Sequence, residues 1–207
     1  VADKNKIEMR DCYTGFKWIA REIRLSEGKQ QYIGGGEESY GFLAEDFVRD
    51  KDSFQATLLL SEVASYYKEH GKTLIQVLYD LFEEFGYYLE GVHNIGLAGI
   101  EGSKRIEKIM RYFQSADLTS LAGKHIKTFE DYDKLIKTEN GKESKLTLPQ
   151  SFVLKYIFDD GGWFVLRPSG TEPKLKIYIA IKGKTEEESR ALIATLKQEI
   201  LNIIDRI

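Results

Sequence analysis

The spacing of apolar residues predicts three helices in the first 86 residues. In residues 14–25, Phe16, Ile19 and Ile23 recur at helical intervals after a possible N-cap at Thr14. A second helix is predicted after Asp52 and Ser53 and a third from Thr73, with Gly71 and Gly86 as their C-terminal stops. Their apolar stripes are Leu59, Leu60, Val63, Ala64 and Tyr67, and Leu74, Val77, Leu78, Leu81, Phe82 and Phe85. A short strand is predicted at residues 31–33.

After Gly86 the pattern changes to alternating strands. Strands are predicted at 87–97 and 125–129, then as a hairpin of 152–158 and 163–166, and at 174–182, where Leu175, Ile177, Ile179 and Ile181 share one face. One helix, with a possible cap at Ser103, is expected to bury Ile106, Ile109, Met110 and Phe113. A second begins at a capping box of Thr185 and Glu188 and packs through Leu192, Leu196, Ile200, Ile203 and Ile207. Residues 121–148 are expected to be loop-rich.

These elements predict two domains, residues 1–86 and 87–207. The first is an α/β segment with a mixed sheet and helices, and the second is an α+β domain whose antiparallel sheet carries helices on one face. The chain begins at Val1, without an initiator Met, and its opening residues resemble interior sequence. We therefore expect a C-terminal piece of a longer polypeptide.

Composition narrows the class of protein. Apolar residues make up 42% of the chain, which excludes a wholly disordered protein. The 33 acidic and 30 basic residues leave a formal net charge of −3, so neither nucleic acid nor an anionic membrane is expected as a partner. No apolar run approaches the roughly 18 residues that span a bilayer. The one cysteine, Cys12, cannot form an internal disulfide, which favours a reducing, cytoplasmic location.

The segment 167–174 has the residues of a phosphate site. It links two strongly apolar strands, and two prolines within it restrict its freedom. Arg167 offers a planar fork for phosphate oxygens, Ser169 and Thr171 offer hydroxyls, and Lys174 adds a second cation. Gly170 permits a positive φ that would direct successive N–H groups into one concavity. A polar loop between strands, without a ligand, is the alternative interpretation of these residues.

A glycine-rich turn at residues 34–41 is the second candidate. No Lys-Ser or Lys-Thr pair follows its glycines, so it is not a nucleotide P-loop. A carboxylate at Glu37 and a hydroxyl at Ser39 suit sugar hydroxyls, although an exposed acidic turn would have the same composition. The three histidines show no paired metal-ligand spacing, and the acidic residues of 37–52 match no EF-hand, so no metal site is predicted.

Together, the runs 35–41 (GGEESYG), 49–52 (RDKD) and 167–174 (RPSGTEPK), in this order, resemble the α-D-phosphohexomutase family of phosphoglucomutases and phosphomannomutases. The resemblance covers essentially the whole chain. It implies the later part of the family's third domain, followed by its fourth domain. By the same resemblance, Glu37 and Ser39 would bind the sugar with Thr14 and Gly15 nearby. The phosphate would be held by Arg167, Ser169, Gly170, Thr171, Lys174 and Lys51.

The family's reacting centre is absent from this sequence. The resemblance implies a parent that interconverts hexose 1-phosphate and hexose 6-phosphate through a phosphoserine, with Mg²⁺ and a glucose 1,6-bisphosphate intermediate. Neither the Ser-His-Asn-Pro-type loop nor the Asp-Gly-Asp-type metal loop occurs here. We therefore expect no catalytic residue in this chain, no activity from it alone, and a need for the missing N-terminal domains.

Other interpretations stay open. The chain could be a free-standing, non-catalytic module that binds phosphosugars, or a structural domain in which both loops are incidental. Residues 37–40 and 49–52 resemble glucose-preferring members of the family more than strict mannose ones. Phosphopentomutases and glucose-1,6-bisphosphate synthases share much of the pattern, so the preferred sugar does not follow from the sequence.

Overall fold

The computed structural model describes residues 1–37, 40–170 and 172–207. It divides into two compact units, Val1–Leu81 and Phe82–Ile207, which are described separately. No helix in the described residues is both long enough and apolar enough to cross a membrane.

The first unit is mostly helical. A short 3₁₀ helix at Asp3–Asn5 precedes α1, and one small antiparallel sheet pairs Gly35 with Leu43 and Gly36 with Phe42. The elements are α1 (Phe16–Ser26), β1 (Gly35–Gly36), β2 (Phe42–Leu43), α2 (Ser53–Glu69) and α3 (Leu74–Phe85), the last of which extends past Leu81.

The core of the first unit forms where α1 meets the small sheet. Phe16, Ile19 and Ile23 are buried with Leu43, as the spacing along α1 predicts. Two local predictions are wrong. Gly15, not Thr14, is the N-cap of α1, and it makes no side-chain cap bond. The strand predicted at 31–33 is absent, and β-pairing begins at Gly35.

Helices α2 and α3 form where the sequence predicts them. The Asp52 carboxylate caps α2 by accepting a hydrogen bond from the Phe54 N–H, at 2.8 Å. At the start of α3, the Gln76 N–H donates to Thr73 Oγ1 at 3.2 Å. Neither helix buries any residue, although both carry the apolar stripes predicted from the sequence.

The second unit is built on one eight-stranded sheet of antiparallel pairs. Its main order is β3-β10-β9-β8-β5-β6-β7, with β4 paired to β5. The elements are β3 (Tyr87–Gly96), α4 (Gly99–Ser115), β4 (Ser120–Leu121), β5 (Lys124–Asp131), β6 (Ile136–Glu139), β7 (Lys142–Lys145), β8 (Leu154–Phe158), β9 (Trp163–Pro168), β10 (Lys174–Gly183) and α5 (Glu186–Ile204).

Both helices of this unit pack on the same face of the sheet, which confirms the α+β prediction. Strand β10 alternates between buried apolar residues and half-buried polar ones, and its buried set, Leu175, Ile177, Ile179 and Ile181, joins the core. From α4 the core takes Ile106, Ile109, Met110 and Phe113, and from α5 it takes Leu196, Ile200 and Ile204. The Tyr156 hydroxyl fixes α4 over the sheet by donating to the Phe113 carbonyl at 2.6 Å.

Two local features of the second unit differ from expectation. Helix α4 begins at Gly99, and Ser103 lies inside it with its hydroxyl donating to the Gly99 carbonyl. Strands β6 and β7 form in the segment predicted to be loop-rich. Their short polar sequences do not alternate in burial, which explains the omission. The signal for this hairpin is the Asn140-Gly141 pair, whose φ values are both positive, as a tight two-residue hairpin turn requires.

Of the glycines in α4, Gly102 is expected to tolerate a side chain least. A Cβ atom there would lie 2.0 Å from the Leu97 carbonyl oxygen, which is backbone and cannot rotate away. We expect Gly102→Ala to lower the free energy of unfolding by about 3 kcal/mol because the start of α4 must shift. Chemical denaturation measures this. Gly96→Ala is the matched control, since a Cβ at Gly96 meets nothing within 4 Å, and an equal loss in both variants would contradict the clash.

Candidate functional site

The turn that joins β1 to β2 carries the predicted sugar-binding carboxylate. The Glu37 N–H donates to the Gly41 carbonyl at 3.0 Å, which closes the turn. The Glu37 carboxylate lies over Gly41, since a Cβ on Gly41 would come within 2.5 Å of Glu37 Oε1. Tyr40 has a φ of 68° and is fully exposed. The other predicted residue of this turn, Ser39, lies outside the described residues.

The first unit brings Lys51 close to the start of α1. Lys51 Nζ lies 5.7 Å from the centre of the Phe16 ring, and Phe16 directly follows the predicted pair Thr14 and Gly15. The same ammonium forms an ion pair with Asp50 at 3.1 Å, and this hydrogen bond holds the pKa of that carboxyl below its usual value. Lys51 therefore lies beside the side chain of the residue that follows the predicted pair Thr14 and Gly15.

In the second unit, the loop between β9 and β10 is closed at its base by backbone bonds. The Ser169 N–H donates to the Lys174 carbonyl at 2.8 Å, and the Lys174 N–H donates to the Glu172 carbonyl at 2.8 Å. The Pro173 carbonyl accepts from the Leu97 N–H at 3.0 Å, which ties the loop to the end of β3. Both flanking strands belong to the core sheet, so the loop is held at its two ends.

Arg167 lies opposite Lys176 in the β9–β10 ladder. Their neighbours Leu166 and Ile177 are fully buried, so by alternation both cations lie on the face away from α4 and α5. Arg167 is half-buried, and within residues 1–37, 40–170 and 172–207 its guanidinium has no hydrogen-bond or ion-pair partner. Lys176 is a candidate that the sequence analysis missed, although its alternation with Leu175 and Ile177 could have identified it.

The structure differs from the sequence-based expectation at Lys174 and at Gly170. The Lys174 ammonium pairs with Glu172 at 2.8 Å, and this hydrogen bond lowers the pKa of the Glu172 carboxyl. Gly170 does not have a positive φ, and the space where its Cβ would lie is open. Gly170 therefore leaves open space beside the loop, and its backbone is not left-handed. Thr171 lies outside the described residues.

A groove of about 520 Å³ runs between this loop and α4. Ser169 and Gly170 line it from the loop, and Arg111 lines it from the helix. The Arg111 guanidinium lies 4.6 Å from the centre of the Phe152 ring and donates to Asp133 at 2.9 Å, so its position is fixed. Arg167 and Lys174 do not line this groove.

Across the described parts of the chain, no three His, Cys, Asp or Glu residues come together in a group that could hold an ion.

Comparison with known families assigns both units. The family model described as phosphoglucomutase/phosphomannomutase, alpha/beta/alpha domain III, matches residues 1–85. The model described as phosphoglucomutase/phosphomannomutase, C-terminal domain, matches residues 123–203. Together these models cover most of the chain.

Individual proteins agree with the family models. The phosphoglucomutase of Staphylococcus aureus strain MRSA252 is 40% identical over 184 residues, which are 88% of this chain and 33% of that protein. The phosphoglucomutase of strain MSSA476 is 40% identical over 190 residues, 91% of this chain and 34% of that protein. The chain thus spans about a third of the length of the curated relatives it matches.

A solved structure has the same fold. The open form of pp63/parafusin, a phosphoglucomutase from Paramecium, superposes with a TM-score of 0.67 at 19% sequence identity. The superposition covers 99% of this chain and 35% of the Paramecium chain.

Proposed function

Because this chain belongs to the phosphoglucomutase/phosphomannomutase family, we propose that it is the substrate-gripping C-terminal part of a phosphoglucomutase. The parent would interconvert hexose 1-phosphate and hexose 6-phosphate. Residues 1–86 would form the later part of its third domain and residues 87–207 its fourth. The chain spans 33% of a phosphoglucomutase to which it is 40% identical, which supports a parent with further domains before Val1.

The phosphate grip is proposed to be the β9–β10 loop. The observation that carries this assignment is Arg167, a half-buried residue near the end of a core strand whose guanidinium has no hydrogen-bond or ion-pair partner among the described residues. A guanidinium that has no partner among the described residues can donate two parallel hydrogen bonds to a phosphate dianion without first breaking an ion pair there. Lys176, opposite Arg167 in the ladder, adds a second positive charge on the same face.

Four other described or predicted residues of the loop would contribute to the proposed phosphate site, and one of them would have to change its partner. Lys174 would exchange its pairing with Glu172 for the phosphate, because the dianion carries more charge than one carboxylate. Ser169 would offer its hydroxyl, and the open space beside Gly170 would let phosphate oxygens approach the backbone. Thr171 is included from the sequence pattern.

The sugar grip is proposed to be the Glu37 turn. Its carboxylate accepts hydrogen bonds from sugar hydroxyls, and the closed turn fixes the backbone on which it is carried. Ser39 would add a hydroxyl, Thr14 and Gly15 would lie nearby, and Lys51 would help neutralise the substrate's phosphate. Carboxylate and hydroxyl groups accept a hexose in either orientation, which suits a reaction in which the sugar must turn around.

The phosphoryl-transfer step is assigned to the upstream part of the parent. This sequence lacks the phosphoserine and metal loops, and the described residues provide no metal-binding cluster. The chain's own contribution is to bind and orient the substrate, which lowers the barrier by positioning the reactants.

A direct test compares this chain alone with the same chain joined to its upstream polypeptide. We expect no turnover of glucose 1-phosphate by the chain alone, and turnover by the joined protein, followed by ³¹P nuclear magnetic resonance. Mannose 1-phosphate and ribose 1-phosphate in the same assay identify the preferred sugar. Turnover by the isolated chain, or none by the joined protein with any of the three substrates, would refute the proposed function.

A further inference from the structure

The groove between α4 and the β9–β10 loop holds polar groups of α4 that the proposed phosphate grip does not use. Helix α4 presents Ser103, Glu107 and Arg111 to the groove, and their four-residue spacing puts them on one side of the helix. The loop presents Ser169 from the opposite wall. The apolar part of the lining consists of Ile106, Phe152, Pro168 and Pro173. At about 520 Å³, the groove has the size of a small-molecule site, for which roughly 300–1,000 Å³ is typical.

The Arg111 guanidinium is held in place while one of its edges stays available. Its hydrogen bonds to Gln114, at 2.8 Å, and to Asp133, at 2.9 Å, both leave from Nη1. Its face lies 4.6 Å from the centre of the Phe152 ring. Nε and Nη2 have no partner among the residues that the structure describes. These two donors form an edge that matches the two oxygens of a carboxylate, and a side chain that is already fixed loses little further entropy on binding.

Glu107 lies one turn before Arg111 and does not pair with it. A glutamate four residues before an arginine on a helix is well placed to form an ion pair. Here the guanidinium binds Asp133 instead, and Glu107 has no hydrogen bond or ion pair with any described residue. The Ser169 hydroxyl also has no partner in the described chain. As far as the described residues go, the groove thus combines two unused N–H donors and one hydroxyl with an acceptor carboxylate.

We propose that this groove binds a small organic acid that carries an ammonium or hydroxyl group on the carbon next to its carboxylate. The carboxylate would accept hydrogen bonds from Arg111 Nε and Nη2 and from the Ser169 hydroxyl. The neighbouring ammonium or hydroxyl would donate to the Glu107 carboxylate, and the apolar lining would contact an aliphatic side chain. This inference does not depend on the proposed function, in which Arg111 and Glu107 take no part.

The charges of the groove favour such an acid over a sugar phosphate. Among the described lining residues, Arg111 is the only cation, whereas Glu107 and Glu172 are acidic. Glu172 is paired with Lys174 at 2.8 Å, which leaves the Glu107 carboxylate as the uncompensated charge. A phosphate dianion on Arg111 would be repelled by Glu107. A single carboxylate with a donor group beside it would instead bind both Arg111 and Glu107.

The test titrates this chain with three acids of the same carbon skeleton, namely leucine, 2-hydroxy-4-methylpentanoate and 4-methylpentanoate. They carry an ammonium, a hydroxyl and a hydrogen, respectively, on the carbon next to the carboxylate. Binding is followed at the Arg111 Nε–H signal in ¹H–¹⁵N nuclear magnetic resonance spectra, which is assigned by its loss in Arg111→Lys. We expect leucine to bind tightest and 4-methylpentanoate to bind at least about tenfold more weakly, because it makes no hydrogen bond to Glu107.

Variants separate the two contacts. Glu107→Gln should weaken the binding of leucine about tenfold and that of 4-methylpentanoate less than about threefold, because only leucine donates to this side chain. Arg111→Lys keeps the charge but loses the paired donors, so all three acids should bind about tenfold more weakly, measured at the Ser169 and Gly170 amides. Arg105→Lys, on the side of α4 opposite the groove, is the matched control and should leave all three affinities unchanged.

Three results would overturn the proposal. The first is that none of the three acids shifts the Arg111 signal, and the second is that 4-methylpentanoate binds as tightly as leucine. The third is that glucose 1-phosphate shifts this signal and leucine does not, which would assign the groove to the phosphate site. Since no turnover is measured, each result is independent of whether the joined protein is an active mutase.

Discussion

Arg167→Ala in the joined protein is expected to lower kcat/KM for glucose 1-phosphate by about 100-fold or more. The change removes the planar donor pair that we propose binds the phosphate dianion, and hydrogen bonds to charged groups each contribute about 1.5–3 kcal/mol. Arg167 has no described internal partner, so its loss leaves no other group unpaired and the fold should be unaffected. Steady-state kinetics with the thermal unfolding midpoint measured alongside separates the two effects.

Two further variants make the Arg167 experiment specific. Arg167→Lys keeps the charge but not the fork, so it should recover part of the lost activity and remain about tenfold below wild type. Arg190→Ala removes an exposed arginine that pairs with Glu186 on α5, far along the chain from the loop, and should leave kcat/KM unchanged. If Arg167→Ala retained wild-type kcat/KM, the β9–β10 loop would not be the phosphate grip.

The fold follows from the sequence wherever one face of an element is buried. One face of β10 carries Leu175, Ile177, Ile179 and Ile181 at every second position, and α5 has both a capping residue and a periodic apolar face, so both were predictable. The β6–β7 hairpin was missed because its residues are polar on both faces and periodicity carries no information there. The apolar stripes of α2 and α3 predict helices correctly, but a stripe does not show which element covers it.

The sequence predicts which residues belong to the candidate site better than it predicts how they are arranged. The resemblance identifies Arg167 and Lys174, but only the strand register shows Lys176 opposite Arg167. The positive φ expected at Gly170 is absent, and a hydrogen bond from the Ser169 N–H to the Lys174 carbonyl closes the base of the loop. Side-chain pairing, such as that of Lys174 with Glu172, depends on rotamers that sequence spacing does not specify.

Phe164→Ala is expected to be the most destabilising substitution near the site, lowering the free energy of unfolding of the second unit by about 3–5 kcal/mol. Phe164 is fully buried at the centre of β9, and its ring stacks on Tyr156 with centroids 4.5 Å apart and planes within 6°. Truncation therefore leaves a cavity and removes an aromatic contact together. Trp163 is adjacent, so urea unfolding followed by tryptophan fluorescence in a Trp18→Phe background reports on this unit alone.

The matched control is Val165→Ala, one residue along the same strand. Val165 is half-buried on the face away from α4 and α5, so it should cost no more than about 1.5 kcal/mol. Since Arg167 lies near the end of β9, a partly unfolded Phe164→Ala protein should also lose phosphate affinity, and a condition that restores folding, such as added sucrose, should restore it. Equal losses of stability for the two variants would mean that the buried aromatic stack does not hold β9 in place. The position of the Arg167 loop would then depend on backbone pairing with β8 and β10 rather than on the core beneath it.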